Sequence, residues 1–286
     1  MTLSRLNPSP SPHNYERFSA KPFNLTIDMT MQLSTTEKIT WCPGCPNNAI
    51  LVAFRKAVTE LVEAGALKEE NVVACAGIGC HAKILDYLNM NTFNSLHGRA
   101  IPPAIGMKAV NPDLSVFVFS GDGDSYSEGF NHLVHAAERN DDINVFIHDN
   151  QVFALTTGQS TATSPKGHKG GTRPLGSVET PIDPLRLMIT AGATFVARTY
   201  AGNIEQTKQV MKAAHAHKGF SFVEILQPCI TFFDTRDFFK DHLVDLPEGH
   251  VATDVRAAYD ATHRDDGKVP VGIFYSTTIP TFEEQI

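Results

Sequence analysis

Five short and almost wholly apolar runs, at 71–76, 115–119, 143–147, 194–197 and 220–226, set the strongest limit on what this chain folds into. None is long enough for a helix, and none alternates polar with apolar as a strand with one wet face does. Each therefore reads as a strand buried on both faces. Helical patterns lie around them. Ile50, Leu51, Phe54, Val58, Leu61 and Val62 recur at three- and four-residue spacing, with Gly65 placed to end the helix; 127–138, Pro184–Ala191 and Ile204–Ala216 read the same way. Strands alternating with helices imply an α/β fold, an open parallel sheet with helices on both faces.

The chain divides into an N-terminal extension (1–40), one domain (41–240) and a tail (241–286) whose pattern weakens to one helix at 254–262. With 42% hydrophobic residues in 286, the chain can bury a core of domain size, and disorder as the main state is excluded. The net charge of −7 argues against a nucleic-acid binder, which needs a basic surface for phosphates. No apolar run approaches a membrane span, and residues 1–24 lack the apolar core of a secretory signal. Five cysteines, an odd number, fit a reducing compartment, so a cytoplasmic location is expected.

The chemically unusual residues fall just after strand C-termini, the edge at which open α/β sheets bind ligands. Cys80 follows the first run, Gly121-Asp122-Gly123-Asp124 the second, Asn150 the third and Cys229 the last. Asp122 and Asn150, 28 residues apart, offer a carboxylate and an amide oxygen, and the Val152 carbonyl a third oxygen, a set suited to Mg²⁺ carrying phosphate. Glycines at 121 and 123 let backbone approach a diphosphate. Gly-Asp-Gly is also ordinary turn chemistry. Cys42 and Cys45 form a CxxC, and with Cys80 and Cys229 they supply four thiolates for zinc or an iron–sulfur cluster alike. Cys75, inside an apolar run, reads as a buried inert thiol. The long Gly/Ser/Thr/Pro-rich loop 156–177 carries Lys166, His168, Lys169 and Arg173; it reads as solvated, with cation contacts to phosphates or to an acidic partner as the alternative. His215 and His217 read as surface residues.

In order along the chain stand WCPGC, GIGCHAKI, LHGRA, GDGD, HDNQVFALTTGQ and LQPC. This series, spanning 41–233, resembles the β subunit of 2-oxoacid:ferredoxin oxidoreductases. The resemblance implies a thiamine diphosphate-binding fold, and coenzyme A-dependent oxidative decarboxylation of a 2-oxoacid with electrons passed singly to ferredoxin. It implies one [4Fe–4S] cluster on Cys42, Cys45, Cys80 and Cys229, and Mg²⁺ on Asp122, Asn150 and Val152. Ile78, Gly79, Cys80, His81, Gly121, Gly123, Asp124, Ala154 and Leu155 are the expected cofactor contacts, Leu155 helping to impose the bent shape of thiamine. Lys83, His97 and Arg99 are the expected catalytic cations, for the diphosphate or a substrate carboxylate. Lys83, His81 and Arg99 offer cations for a distal carboxylate, which favours 2-oxoglutarate over pyruvate.

Two positions depart from the family: Pro46 stands where glycine is common, and His81 where a small residue is. The glutamate that activates the aminopyrimidine, and most coenzyme A contacts, belong in the family to an α subunit, so an αβ pair, doubled, is the expected assembly. Two other readings remain open from the residues alone: a zinc-stapled binding module without activity, and a thiamine enzyme without redox chemistry. Iron content separates them.

Overall fold

The computed structural model describes residues 33–262 and 266–286, so the expectation for 1–32 lies outside the described residues. Its main sheet is built from β1 (Val72–Ala76), β2 (Asn91–Asn94), β3 (Ser115–Gly121), β4 (Asn144–Asp149), β7 (Phe195–Tyr200), β8 (Ser221–Leu226), β9 (Leu243–Asp245) and β10 (Val269–Ser276). The order is β2-β1-β3-β4-β8-β7-β10-β9. The first six strands are mutually parallel, and β10 runs antiparallel to β7. A two-stranded hairpin, β5 (Val152–Phe153) with β6 (Gln159–Ser160), stands apart.

Alternate side chains of the central strands go to opposite faces. On one face Phe117, Phe119 and Phe146 surround Phe54 of α1 (Asn47–Glu63), with ring centroids 5.2, 4.9 and 6.5 Å away. α5 (Ile204–Ala216) lies beside α1. The other face carries Val116, Val118, Val145 and Ile147 against residues of α2 (Ile101–Val110), α3 (Phe130–Arg139) and α4 (Pro184–Ala191), among them Leu133 and Met188. Each such fully buried side chain contributes about 1.5–3 kcal/mol of burial, which is why these runs carry no polar alternation. The remaining helices are α6 (Arg236–His242), α7 (Val255–Ala261) and α8 (Phe282–Gln285).

Register aligns the functional edge. Ala76 pairs with Phe119, Gly121 with His148, and Asp149 with Leu226. The residues just beyond these pairs are Gly77, Asp122, Asn150 and Gln227, so four loops leave the sheet side by side. The chain turns from β2 back across β1 to β3, which opens a crevice at that edge.

Several expectations need correction. The helix expected over 127–138 begins later, at Phe130, after a wide turn in which Gly129 N–H donates to the Asp124 carbonyl five residues back (2.8 Å). Gly129 and Gly98 abut: a Cβ on Gly129 would lie 2.7 Å from the Gly98 carbonyl oxygen. The weakly patterned tail is integral to the sheet through β10; Pro270 and Gly272 mask its strand signal. The helix expected at 254–262 is α7. His215 and His217 are half-buried rather than surface residues: His215 packs on Phe117 (5.7 Å) and His217 Nε2 lies 2.7 Å from Thr194 Oγ1. His168 is buried and hydrogen-bonded to the Gly158 carbonyl, so the 156–177 loop is more packed than its composition suggests. Lys166, Lys169 and Arg173 are exposed, as expected.

Candidate active site

The crevice at the ends of β1, β3 and β4, with a cavity volume of about 70 Å³, is lined by Ile78, Gly79, Cys80, His81, His97 and the 121–124 turn on one side, and by Asn150 and 152–156 on the other. Asp122 forms its floor. It is 2% exposed, and its Oδ2 accepts from Thr161 Oγ1 (2.5 Å) and Thr163 Oγ1 (3.2 Å). Burial pushes its carboxyl up to about 6, against those two hydroxyls, which pull it down. Asn150 Oδ1 takes the Val152 N–H (3.1 Å), and Gln151 holds a left-handed backbone (φ 63°) that turns Val152 into the crevice. A left-handed non-glycine residue is uncommon and costs about 1–2 kcal/mol, so this turn is held by its surroundings: Gln151 N–H donates to Asp149 Oδ1 (3.0 Å) and its carbonyl accepts from Ser164 Oγ.

The glycines are matched to the space. A Cβ at Gly123 would lie 2.3 Å from the Phe153 ring, one at Gly121 2.8 Å from His81, and one at Gly77 1.9 Å from Asp124 Oδ2. Asp124, also 2% exposed, ties three loops together. It accepts from Gly98 N–H (2.6 Å), Ser120 Oγ (2.6 Å) and Ile78 N–H (3.3 Å). His97 Nδ1 is 2.8 Å and His81 Nε2 3.3 Å from its oxygens. Neither ring nitrogen meets hydrogen-bond geometry, so both are left without a hydrogen-bond partner. Burial raises the Asp124 carboxyl, but His81, Ser120 and Gly98 outweigh it and hold it below the usual range.

A second cavity, about 190 Å³, adjoins the first. Cys42, Cys45, Cys80 and Cys229 all line it, and Cys80, Asn150, Ala154 and Leu155 border both cavities. Three separate segments thus bring four free thiols around one space. Burial pushes the Cys80 thiol up to about 11, with the neighbouring Cys45 adding and Lys83 opposing. Trp41 fixes the Cys80 turn by donating from Nε1 to the Cys80 carbonyl (2.7 Å). Cys75 stands apart, wholly buried, with burial raising it to about 12. Among the described residues no three His, Cys, Asp or Glu side chains converge closely enough to hold a single metal ion.

Most of the residues singled out in the sequence meet here. Of the three expected catalytic residues, only His97 faces the first cavity. Arg99 donates to the Glu128 carbonyl (2.9 Å) and the Gly98 carbonyl (3.1 Å), bracing the loop instead. Lys83 lines the second cavity, its ammonium 3.4 Å from the Thr40 carbonyl. Residues the sequence reading missed are Phe153, Asp149, Thr161, Thr163, Ser164 and Gln227. Thr163 Oγ1 links Asp122 to Asp149 Oδ1 (2.9 Å). Asp149 is driven well above the usual carboxyl range by burial and then by the Asp122 and Glu224 charges. The hydroxyl cluster at 160–164 was the available signal, hidden in a loop that reads as solvent-facing.

Residues 77–225, just over half of the chain, match the family model for the C-terminal TPP-binding domain of thiamine pyrophosphate enzymes, and 229–286 match the model for the C-terminal part of the pyruvate ferredoxin oxidoreductase β chain. The chain is 38% identical over 263 residues to a 2-oxoacid:ferredoxin oxidoreductase subunit beta from a Sulfolobus species, covering 86% of this chain and 85% of that one. This chain belongs to the 2-oxoacid:ferredoxin oxidoreductase β-subunit family. It is an oxidoreductase subunit with a thiamine diphosphate-binding domain. A further relative of this β subunit is 2-oxoglutarate synthase subunit KorB of Methanocaldococcus jannaschii (34% identity; 86% of this chain, 90% of the relative). Among solved structures, 2-oxoglutarate:ferredoxin oxidoreductase from Magnetococcus marinus, with 2-oxoglutarate, coenzyme A and succinyl-CoA bound, superposes with a TM-score of 0.85 at 36% identity, covering 88% of this chain and 86% of that one. The β-subunit name implies a partner α subunit. No helix among the described residues is long and apolar enough to cross a membrane.

Proposed function

We propose that this chain and an α subunit together catalyse coenzyme A-dependent oxidative decarboxylation of a 2-oxoacid, 2-oxoglutarate by preference, to an acyl-CoA and CO₂, with electrons leaving to ferredoxin. The observation that carries the reading is the shared wall: four cysteines line one cavity that borders the Asp122–Asn150 crevice through Cys80, Asn150, Ala154 and Leu155. When bound, thiamine diphosphate supplies the electron sink for decarboxylation, Mg²⁺ neutralises its diphosphate, and a [4Fe–4S] cluster takes electrons one at a time.

The chain's own residues fit those groups. Asp122, Asn150 and the Val152 carbonyl are an all-oxygen set for Mg²⁺, and Thr161 and Thr163 orient the Asp122 carboxylate. Gly121 and Gly123 leave backbone open to the diphosphate, and Asp124 is the hub that presents His81 and His97 beside it. Gly79 belongs to the same turn as Cys80, and Ile78, Ala154 and Leu155 flank the cofactor rings. Cys42, Cys45, Cys80 and Cys229 hold the cluster. Lys83, whose ammonium has no ion-pair partner among the described residues, is the cation for a distal carboxylate, reaching from the Cys80 side of the shared wall. Arg99 holds the His97 loop.

The relatives bearing 2-oxoglutarate names support that substrate. Pyruvate is the second reading, favoured by the family model over 229–286. The test uses anaerobically purified enzyme co-expressed with its α subunit. Iron content is measured, and EPR spectra are recorded after 2-oxoglutarate with and without coenzyme A. A reduced cluster with an organic radical that decays on adding coenzyme A is the expected result. Zinc in place of iron, with no signal, refutes the redox function. Iron present, with signals from pyruvate alone, overturns the substrate assignment.

A further inference from the structure

We infer that Gln227 couples the two centres, so that loading the cofactor site shifts the reduction potential of the cluster. This deepens the reading above and rests on it. Gln227 is the first residue past β8, 2% exposed, and its backbone N–H continues the sheet to the Asp149 carbonyl (2.8 Å). Its side-chain amide is wholly engaged. Oε1 accepts from Asn150 Nδ2 (3.4 Å), while Nε2 donates to the Pro228 carbonyl (3.2 Å) and to Cys45 Sγ (3.9 Å). One buried amide therefore touches the Asn150 side chain of the metal set and a sulfur of the cysteine set.

The arrangement has a direction. A cation at Asn150 Oδ1 draws electron density through that amide and makes its N–H a stronger donor to Gln227 Oε1. Gln227 polarised in this way becomes a stronger donor to Cys45 Sγ, because hydrogen bonds in series in a low-dielectric interior reinforce one another. Hydrogen bonds to cluster sulfurs are one of the levers on cluster potential, since they withdraw charge and favour the reduced form. Cofactor loading therefore raises the potential, and the cluster becomes the better acceptor when the cofactor is in place. Coupling between two equilibria is reciprocal, so reduction of the cluster tightens binding at the cofactor site by the same factor. Thr231 supplies the contrast. Its Oγ1 donates to Cys42 Sγ (3.4 Å), whereas the Asn150 amide donates to Gln227.

The test is an EPR-monitored redox titration of the assembled αβ enzyme, run with thiamine diphosphate plus Mg²⁺ and after their removal. In the wild type, loading is expected to raise the ratio of reduced to oxidised cluster at a fixed potential about tenfold, which is 59 mV for one electron. Gln227→Leu lowers the potential and abolishes the response to loading. Gln227→Glu, which keeps the acceptor and the size but removes the donor, loses the response too and serves if the leucine variant does not assemble. Thr231→Val lowers the potential but keeps the full response. A wild-type potential that does not move on loading overturns the coupling, as does a full response in either Gln227 variant. Absence of iron overturns the cluster assignment itself, so the two failures are distinguishable.

Discussion

Asp122 is the carboxylate proposed to hold Mg²⁺, and its burial is costly to the fold; the two effects separate by experiment. Its carboxyl, ordinarily at 3.8, rises to about 6 when buried. Between those values the native state binds the proton that the unfolded chain has released, so native stability falls as pH rises from about 4 to about 6 and then levels off. At about 1.4 kcal/mol per pKa unit the cost is on the order of 1–2 kcal/mol at pH 5 and about 3 kcal/mol at pH 8. Asp122→Asn removes the titration and keeps an oxygen to accept from Thr161 and Thr163. In chelator-treated, cofactor-free protein the variant is expected to be more stable than the wild type, by about twice as much at pH 8 as at pH 5, in urea unfolding followed by far-UV circular dichroism. With Mg²⁺ and thiamine diphosphate added, the order reverses, because only the wild type gains from binding. A variant less stable than the wild type at both pH values, without cofactor, would refute the claim that burial of this charge is a net cost.

Three further outcomes follow from the same geometry. Thr163→Val removes the hydroxyl between Asp122 and Asp149 and is expected to weaken Mg²⁺ binding about 10–100-fold; unchanged affinity in a thiamine diphosphate fluorescence titration would exclude an orienting role. Gly123→Ala places a methyl 2.3 Å from the Phe153 ring, so cofactor binding is lost in the single variant and partly restored in Gly123→Ala/Phe153→Ala, which calorimetric titration can score. Lys83→Ala is expected to raise KM for 2-oxoglutarate about 10–100-fold, the worth of a charge-assisted hydrogen bond of about 1.5–3 kcal/mol, and to leave that for pyruvate nearly unchanged; equal losses on both substrates would remove Lys83 from the distal-carboxylate role.

The central strands and the long helices were legible because their signals are local. A run such as 143–147, apolar at every position but one, admits few alternatives to a strand buried on both sides, and Ile204–Ala216 carries its own helical period. The glycine-flanked Asp122, the distant Asn150 and the CxxC were visible for a related reason, since each is a residue type that a particular ligand chemistry requires. β2 and β10 were not legible. β2 (Asn91–Asn94) is an exposed edge, polar at three of four positions, and exists as a strand because β1 offers it a parallel ladder. β10 contains a proline and a glycine and is held by β7.

Local residue patterns carry the alternation of strand and helix, the residue types at the strand ends and, through the ordered motifs, the resemblance to the family. Tertiary structure alone decided which of those groups share a wall. Cys80 and Cys229 lie far apart along the chain, and only the parallel register of β1, β3, β4 and β8 brings the loops after β1 and β8 to one edge. Packing alone turned Arg99 away to the Glu128 carbonyl, drew Thr161 and Thr163 out of an apparently solvated loop onto Asp122, and set Gln227 between Asn150 and Cys45. The physical reason is that a hydrogen bond between residues distant in sequence leaves no periodic trace, so its partners are known only once the backbone that carries them has been placed.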